Sequence, residues 1–382
     1  MTSAAERDAL LKYATRVKSS AASMLSNASL LYKAADALVV EEPPPVEPPP
    51  PVEPPPPAPA PLKRNYGGLY GTTEADRKRR GVNQQWLKVR WSDLEPTEGT
   101  YAWKFIDSLL ESDPQLVVRV HVQGGQFAPE WLKAAAGRVS VSNAKDGITA
   151  TVGQYWTDRY RAAYARFVAA LGARYDGHPR VASVNQFGTS LIYDEPWIVG
   201  GTAAGAALFA AGLTKDKVIA SQEAALAATV AAFPTTAVEV PLHTQLTYPV
   251  EGGQKGTWAD GLPLANAWDA RYGEHVVFVH YGWGAGDYTP AADSLETATS
   301  LYAWMHKRAD LGRPIAFQAT LAPGTAAGTV KPTVEVARAA CNEAVRMGAR
   351  WFEHASWAYF DDVAEARAID EALKANMPTP AP

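Results

Sequence analysis

Polar residues collect at the ends of apolar runs in this chain. Arg90 closes QQWLKVRW, and His121, followed by Gln123 and Gln126, closes QLVVRVHV. Asn185 and Gln186 close RVASVNQF, with Asp194 and Glu195 in the segment beyond. His243 and Gln245 end the next run, His280, Tyr281 and Trp283 the one after, then Gln318, and finally Glu353, His354 and Trp357. Four of the seven histidines therefore stand at such ends. Amides, imidazoles and aromatic rings are suited to holding sugar hydroxyls. Two carboxyls at ~5 Å, or at ~6.5–9.5 Å with room for a water, are suited to breaking a glycosidic bond. The four histidines come from four different runs, which a zinc hydrolase could use. With no His-x-His pair and no Asp at a matching end, no metal is expected. Cys341 falls mid-helix by pattern and no GxSxG elbow occurs, which argues against a covalent Ser or Cys nucleophile. No GxGxxG or Walker loop follows the first run, so no nucleotide and no other cofactor is expected.

Eight runs read as strands: 65–71, 84–91, 115–122, 180–187, 237–245, 275–282, 314–321 and 349–356. Between them lie helical patterns. The clearest is YWTDRYRAAYARFVAALGARY, with Trp156, Tyr160, Tyr164, Phe167, Val168 and Leu171 on one stripe. Others are ATSLYAWMHKRADL and TVEVARAACNEAVRMG. Short apolar strands alternating with helices, about forty residues per unit, predict an α/β fold with a parallel (β/α)8 TIM barrel over residues 63–376. An open doubly wound sheet is the alternative. In a barrel, the strand exits share one face, where an active site would sit.

Two different segments precede this region, and a short tail, 377–382, follows it. Leu10, Val17, Met24, Leu31 and Leu38 recur every seventh residue, with Ala14, Ala21, Ala28 and Ala35 in the complementary position. That is an a/d seam over residues 1–40, predicting a heptad helix that self-associates, as a trimer for preference, or docks on another protein. A helix packed back on its own domain is the alternative. Residues 41–62 carry EEPPPVEPPPPVEPPPPAPAP, a polyproline spacer able to extend about 65 Å.

A net charge of −4 among 382 residues argues against nucleic acid or an anionic membrane as partner. The run Arg77-Lys78-Arg79-Arg80 ends at Gly81 and is expected to close a helix C-terminus, where cations suit the dipole. No apolar signal-like segment opens the chain and no run is long enough for a membrane span. Action outside a cell would need another route out. Twelve Trp and sixteen Tyr either line a cleft or fill a large core.

Three motifs carry a resemblance. VRWSDLEPTEGTYAWKFID (89–107) resembles the second βα unit of (β/α)8 glycoside hydrolases, where Arg and Trp end the strand and an EP..G.Y.W motif opens the loop. FAPEWL (127–132) resembles their Pro-x-Trp-Leu after strand three. The aromatic helix ending in RYDGHPRV (174–181) resembles their lead-in to strand four. His280-Tyr281 and Trp357 resemble sugar-site residues of strands six and eight. The resemblance implies substrate-binding roles for Arg90, His121, Asn185, Gln186, His243, His280, Tyr281, Gln318 and Trp357. It also implies an acid/base Glu at the end of strand four and a nucleophile Glu at the end of strand seven. Here those positions are Gln186 and Gln318, and an amide can neither donate a proton as an acid nor attack as a carboxylate.

A second alignment supplies carboxyls. Tyr193-Asp194-Glu195-Pro196 is similar to a loop that carries the acid in some barrels of actinobacteria and their phages. Glu353 then takes the second role, as nucleophile or base. The structural alternatives are a loop ion pair for Glu195, and for Glu353 an ion pair with Arg90 or His121. The layout of helix, proline spacer and sugar-type barrel resembles a phage minor tail protein that carries its barrel to host envelope polysaccharide on the virion. Three readings remain at this point: a barrel that binds cell-wall glycan without cutting it, an active hydrolase using Glu195 and Glu353, and an assembly protein working through its N-terminal helix.

Overall fold

The computed structural model describes residues 61–63, 66–71, 73–143, 147–193, 202–242, 257–319, 334–353 and 363–377. The heptad segment, and the proline-rich segment up to residue 60, lie outside the described residues. In chain order the strands are β1 (Gly68–Tyr70), β2 (Gln84–Arg90), β3 (Val117–Gln123), β4 (Arg138–Asn143), β5 (Ile148–Gly153), β6 (Val181–Asn185), β7 (Ala237–Leu242), β8 (Val276–Trp283), β9 (Ile315–Ala319) and β10 (Trp351–Glu353). The main helices begin with α1 (Glu74–Arg80), α2 (Trp91–Leu94), α3 (Lys104–Ser112), α4 (Glu130–Ala136), α5 (Asp158–Tyr175) and α6 (Thr202–Ala210). They continue with α7 (Lys215–Ala232), α8 (Trp258–Tyr272), α9 (Leu301–Asp310), α10 (Val334–Arg346) and α11 (Val363–Ala375).

Eight strands form one parallel sheet in the order β1-β10-β9-β8-β7-β6-β3-β2. A parallel bridge between Gly71 and Gln85 joins its two ends, with the Trp86 N–H donating to the Gly71 carbonyl at 2.9 Å. The sheet is thus a (β/α)8 barrel, as expected, and not an open doubly wound sheet. Each of the eight apolar runs holds one barrel strand, with bounds differing by three residues or fewer. Runs such as VVRVHVQ, rich in Val and buried along their length, suit strands covered on both faces.

The antiparallel hairpin β4–β5 was not among the expected elements. It pairs Arg138 with Gly153 through to Asn143 with Ile148. Period-two alternation in RVSVSN and ITATV was its signal. Lys133 of α4 ties it to the loop after β3, its buried ammonium donating to the carbonyls of Gln126 at 3.0 Å and Thr151 at 3.4 Å.

The helical layer follows the expected stripes. Thr157 caps α5, its hydroxyl accepting from the Tyr160 N–H at 3.3 Å. Tyr160, Tyr164, Phe167, Val168 and Leu171 are all buried, whereas Trp156 precedes the helix. Trp91 seats itself among them, with ring centroids 5.2 Å from Phe167 and 5.6 Å from Phe187. The EP..G.Y.W motif explains itself here. Glu95 is fully buried and accepts from the Trp91 indole N–H and the Gly99 N–H, both at 2.9 Å, while Arg166 of α5 reaches it at 3.3 Å. The motif is a staple holding the loop after β2 onto α5. The basic run closes α1 as expected, with Gly81 at φ +65° and Arg77 buried on Asp113 at 2.9 Å.

Helices α5 and α7 touch backbone to backbone at Gly172, where an added Cβ would be driven into the carbonyl oxygen of Ala232. Gly172→Ala gains up to about 1 kcal/mol of helix propensity. The forced shift costs about 1–3 kcal/mol. The expected outcome is a net loss of stability in urea unfolding; an unchanged or raised midpoint would show that the helices part freely.

Candidate functional site at the barrel mouth

Alternation along the strands decides which side chains face the barrel axis. On β3, Arg119, His121 and Gln123 share a face; on β7, Glu239 points inward; on β8, Val277, Val279 and Tyr281 do so. Arg119 and Glu239 meet at the centre, both 1% exposed. The guanidinium donates Nε to Oε1 at 2.7 Å and Nη2 to Oε2 at 2.6 Å, a fork-to-fork pair. Ser183 of β6 donates to the same carboxylate. The guanidinium carbon stands over the Trp351 ring, 3.2 Å from its centroid, with Tyr70 at 5.0 Å. Burial acts to lower the Arg119 pKa, but the Glu239 carboxylate more than offsets this and holds it above its ordinary value.

Glu353 lies at the end of β10 and is fully buried. Its Oε2 is 3.8 Å from Arg119 Nη1, while Gln318, its neighbour across the β9–β10 ladder, donates Nε2–H to Oε1 at 2.8 Å. Neither Oε2 nor Nη1 has a hydrogen-bond partner among the described residues. Burial pushes the Glu353 carboxyl up to about 8, against the pull of Arg119 and the Gln318 hydrogen bond. The structural alternative for Glu353 was an ion pair with Arg90 or His121; among the described residues the cation paired with it is Arg119, one layer below His121 on the same inward face.

Above this pair lies an aromatic wall. His121 is buried, with Nδ1 3.4 Å from the Tyr281 hydroxyl and its ring edge-on to Trp86 at 5.0 Å. The Lys88 ammonium stands 5.0 Å over Trp86, and Arg90 is exposed at the rim, 4.8 Å over Phe127. Gln186 is 4% exposed; its backbone N–H donates to the Glu239 carbonyl at 2.8 Å, and its side-chain amide is bonded to no described residue.

Not every expected site residue joins this group. His280 stands apart from it. It adjoins Tyr281 on β8, so the two point to opposite faces of the strand. Tyr281 turns to the axis and His280 turns outward onto α9, where its Nδ1 lies 3.3 Å from the Tyr302 hydroxyl. Asn185 is spent on the neighbouring strand: Oδ1 accepts from Val122 N–H at 2.7 Å and Nδ2 donates to its carbonyl at 2.9 Å. It fastens β6 to β3. Glu195, His243, Trp357, Asp194, Gln245 and His354 lie outside the described residues. Arg119, Glu239, Ser183, Trp86 and Lys88 were not anticipated. A charge of each sign in the middle of a Val-rich run was their signal, since a buried charge needs a counter-charge. Among the described residues no cluster of His, Cys, Asp and Glu is arranged to hold a metal, and no helix is long and apolar enough to cross a membrane.

Comparison with known proteins adds a family likeness over part of the chain. Residues 78–186, from α1 to the exit of β6, match the family model described as Glyco_hydro_42, beta-galactosidase. Among solved structures, the beta-galactosidase of the psychrophilic Marinomonas ef1 is similar at 14% identity and a TM-score of 0.47. That match covers 81% of this chain but 59% of the Marinomonas chain, so this protein spans well under two thirds of it. Endo-glycoceramidase II from Rhodococcus sp., in a cellobiose-like imidazole complex, is similar at 17% identity and a TM-score of 0.45, covering 78% of this chain and 76% of that one. The beta-galactosidase of Rahnella sp. R3 is similar at 13% identity and a TM-score of 0.47, covering 82% and 57%. No curated protein sequence matches.

The Glu353 carboxyl carries a pH signature. Its folded value of about 8 lies above an unfolded value near 4.3. The stabilisation from holding the proton is therefore complete below about pH 4.3 and is lost as pH rises through about 8. Glu353→Gln cannot lose a proton. Relative to this variant, the native protein should lose up to about 1.4 kcal/mol per pH unit across that window. Urea unfolding of both proteins between about pH 5 and 8 reads the difference. Parallel stability curves would mean that this carboxyl titrates as an ordinary surface glutamate.

Proposed function

We propose that this protein is a carbohydrate-directed, glycosidase-like barrel that holds an envelope or cell-wall polysaccharide at its mouth without cleaving it, and that it acts as a minor tail protein on a phage virion. The observation that carries the reading is the pair Gln318–Glu353. The strand-seven position holds an amide, and that amide spends one N–H on the neighbouring carboxyl at 2.8 Å. Glu353 itself is fully buried and keeps its proton at neutral pH, so it is ready neither as nucleophile nor as base. Gln186 repeats the amide at the strand-four position. His121, Tyr281 and Trp86 supply the ring faces and polar edges with which sugars are held. The likeness of residues 78–186 to a beta-galactosidase family supports a saccharide as the ligand class.

A second reading rests on the same carboxyl. An acid that stays protonated at neutral pH fits the proton-donating half of an inverting pair. An active hydrolase would then use Glu353 as acid and Glu195 as the second carboxylate, exchanging the roles expected from sequence. Binding and release of sugar separate the two readings. The full chain should bind host envelope polysaccharide in calorimetry, and Gln186→Ala should weaken binding about 10-fold, the loss of one to two hydrogen bonds. No reducing ends should appear. Release of reducing ends that disappears in Glu353→Gln would overturn binding without cleavage and establish the hydrolase.

The virion assignment rests on the seven-residue seam and the proline run before residue 62, which suit a part that joins an assembly and holds the barrel at a distance. Self-association through that seam, as a trimer, follows. In sedimentation equilibrium the full chain should run as an oligomer, and the double substitution Met24→Glu, Leu31→Glu should reduce it to monomer with the barrel's circular dichroism intact. A monomeric full chain at high concentration would remove the seam from the account.

A further inference from the structure

The eight barrel strands carry their Lys, Arg, Asp and Glu residues at five positions: Lys88 and Arg90 on β2, Arg119 on β3, Glu239 on β7 and Glu353 on β10. Two of these charges cancel. Arg119 and Glu239 close on each other at 2.6 and 2.7 Å in the sealed interior. Glu353 is fully buried and keeps its proton at neutral pH. The charge that the strands have left over is positive, and both of its bearers belong to β2.

Strand parity aims them. Trp86, Lys88 and Arg90 alternate with Leu87 and Val89 and so share a face. That face is the inner one, because the Trp86 ring meets His121 at 5.0 Å and the Lys88 charge acts on Glu353. In the ladder Lys88 stands beside His121, and Arg90 stands beside Gln123 nearer the exit. Two positions along a strand span about 6.6 Å. Both cations are exposed, in contrast to the tied pair below them. Each lies over an aromatic ring, Lys88 at 5.0 Å over Trp86 and Arg90 at 4.8 Å over Phe127. A ring face fixes where a cation stands without cancelling its charge. Among the described residues the Arg90 guanidinium pairs with no carboxylate. Its fork of N–H donors matches the geometry of a carboxylate or phosphate.

We propose that the mouth selects acidic saccharides, a carboxylate or phosphate borne on the sugar docking on the Arg90 fork while the Lys88 ammonium below adds its attraction. This rests on the reading of the mouth as a saccharide site and narrows the class of saccharide. The chain as a whole carries a net charge of −4, so the attraction is local to β2 and does not extend to polyanions at large.

Galacturonate and its methyl ester differ by one charge and little in shape. Glucuronate with its ester, and galactose 6-phosphate with galactose, complete the set of probes. In NMR titration of the full chain, read on the Arg90 Nε–H, an acid should bind about 10- to 100-fold more tightly than its neutral counterpart. The preference should shrink between about 0.05 and 0.5 M NaCl. Whether the uronates or the sugar phosphate gain more decides which oxyanion the fork takes. Arg90→Gln should bring the acid-to-neutral ratio close to one, and Lys88→Gln should lower it several-fold. Both positions are exposed, and unchanged circular dichroism verifies the fold of each variant. Acids that bind no better than their neutral counterparts, or not at all, overturn the proposal. So does a preference that survives Lys88→Gln and Arg90→Gln together. Calorimetry with host envelope polysaccharide judges the saccharide site separately: a chain that binds polysaccharide but is indifferent to charge keeps the site and loses this specificity.

Discussion

A guanidinium sealed inside the barrel governs everything above it. Taking one charge out of water costs several kcal/mol, so Arg119 can stand at the centre of an apolar barrel only with its partners in place. Glu239 takes two of its nitrogens, Ser183 supports Glu239 from β6, and Trp351 and Tyr70 lie against its face. Five barrel strands, β1, β3, β6, β7 and β10, are thereby tied to one group. The remaining nitrogen, Nη1, is the one that faces Glu353 at 3.8 Å. The charge available to Glu353 is what Glu239 leaves. With Glu353 protonated the cluster is neutral; with it ionised, a second buried negative charge shares a guanidinium already neutralised. Burial then decides, and the proton stays.

The same barrel separates site from frame by strand parity. Tyr281 and His121 face the axis and line the way down to Glu353, while His280 serves the packing of α9. Trp91 and Glu95, although they follow directly on β2, belong to the helical layer and fix the loop on α5. Asn185 locks β6 to β3 through both polar atoms of its amide. These side chains set the height and spacing of the strand exits. Their cost is met by dense packing: each aromatic pair around Trp91 contributes about 0.5–1.5 kcal/mol beyond its burial.

Much of this was legible in the sequence, for identifiable reasons. The eight runs of Val, Ile and Phe at regular spacing could be placed because strands covered on both faces are continuously apolar, and helices of one stripe show period 3.6. The exits could be placed because polar residues interrupt those runs. Depth could not be read from exits alone. Arg119 and Glu239 sit mid-run, and their pairing across 120 residues depends on the barrel closing. His280 and Tyr281 are neighbours in sequence, but alternation along β8 turns them to opposite faces. The hairpin β4–β5 is a polar two-stranded insertion with no apolar run to announce it. Asn185 carries the residue type of a sugar contact, but its bonds go to backbone, which only coordinates reveal.

The amide at residue 318 and the state of Glu353 are one electrostatic fact. A carboxylate at 318, directly across the ladder from Glu353, would bring a third acidic group to a guanidinium that Glu239 already holds in bidentate fashion. Like charges in a dry site cannot all ionise, so one carboxyl would have to stay protonated or leave. An amide removes the conflict: it donates to the Glu353 carboxyl and brings no charge. A barrel with a working nucleophile on strand seven would need a cation with charge to spare beside it, and here Arg119 has none. The departure at Gln318 is therefore no isolated loss on an otherwise catalytic frame. It goes with a central charge pair that fills the barrel interior and leaves polar and aromatic side chains around Glu353.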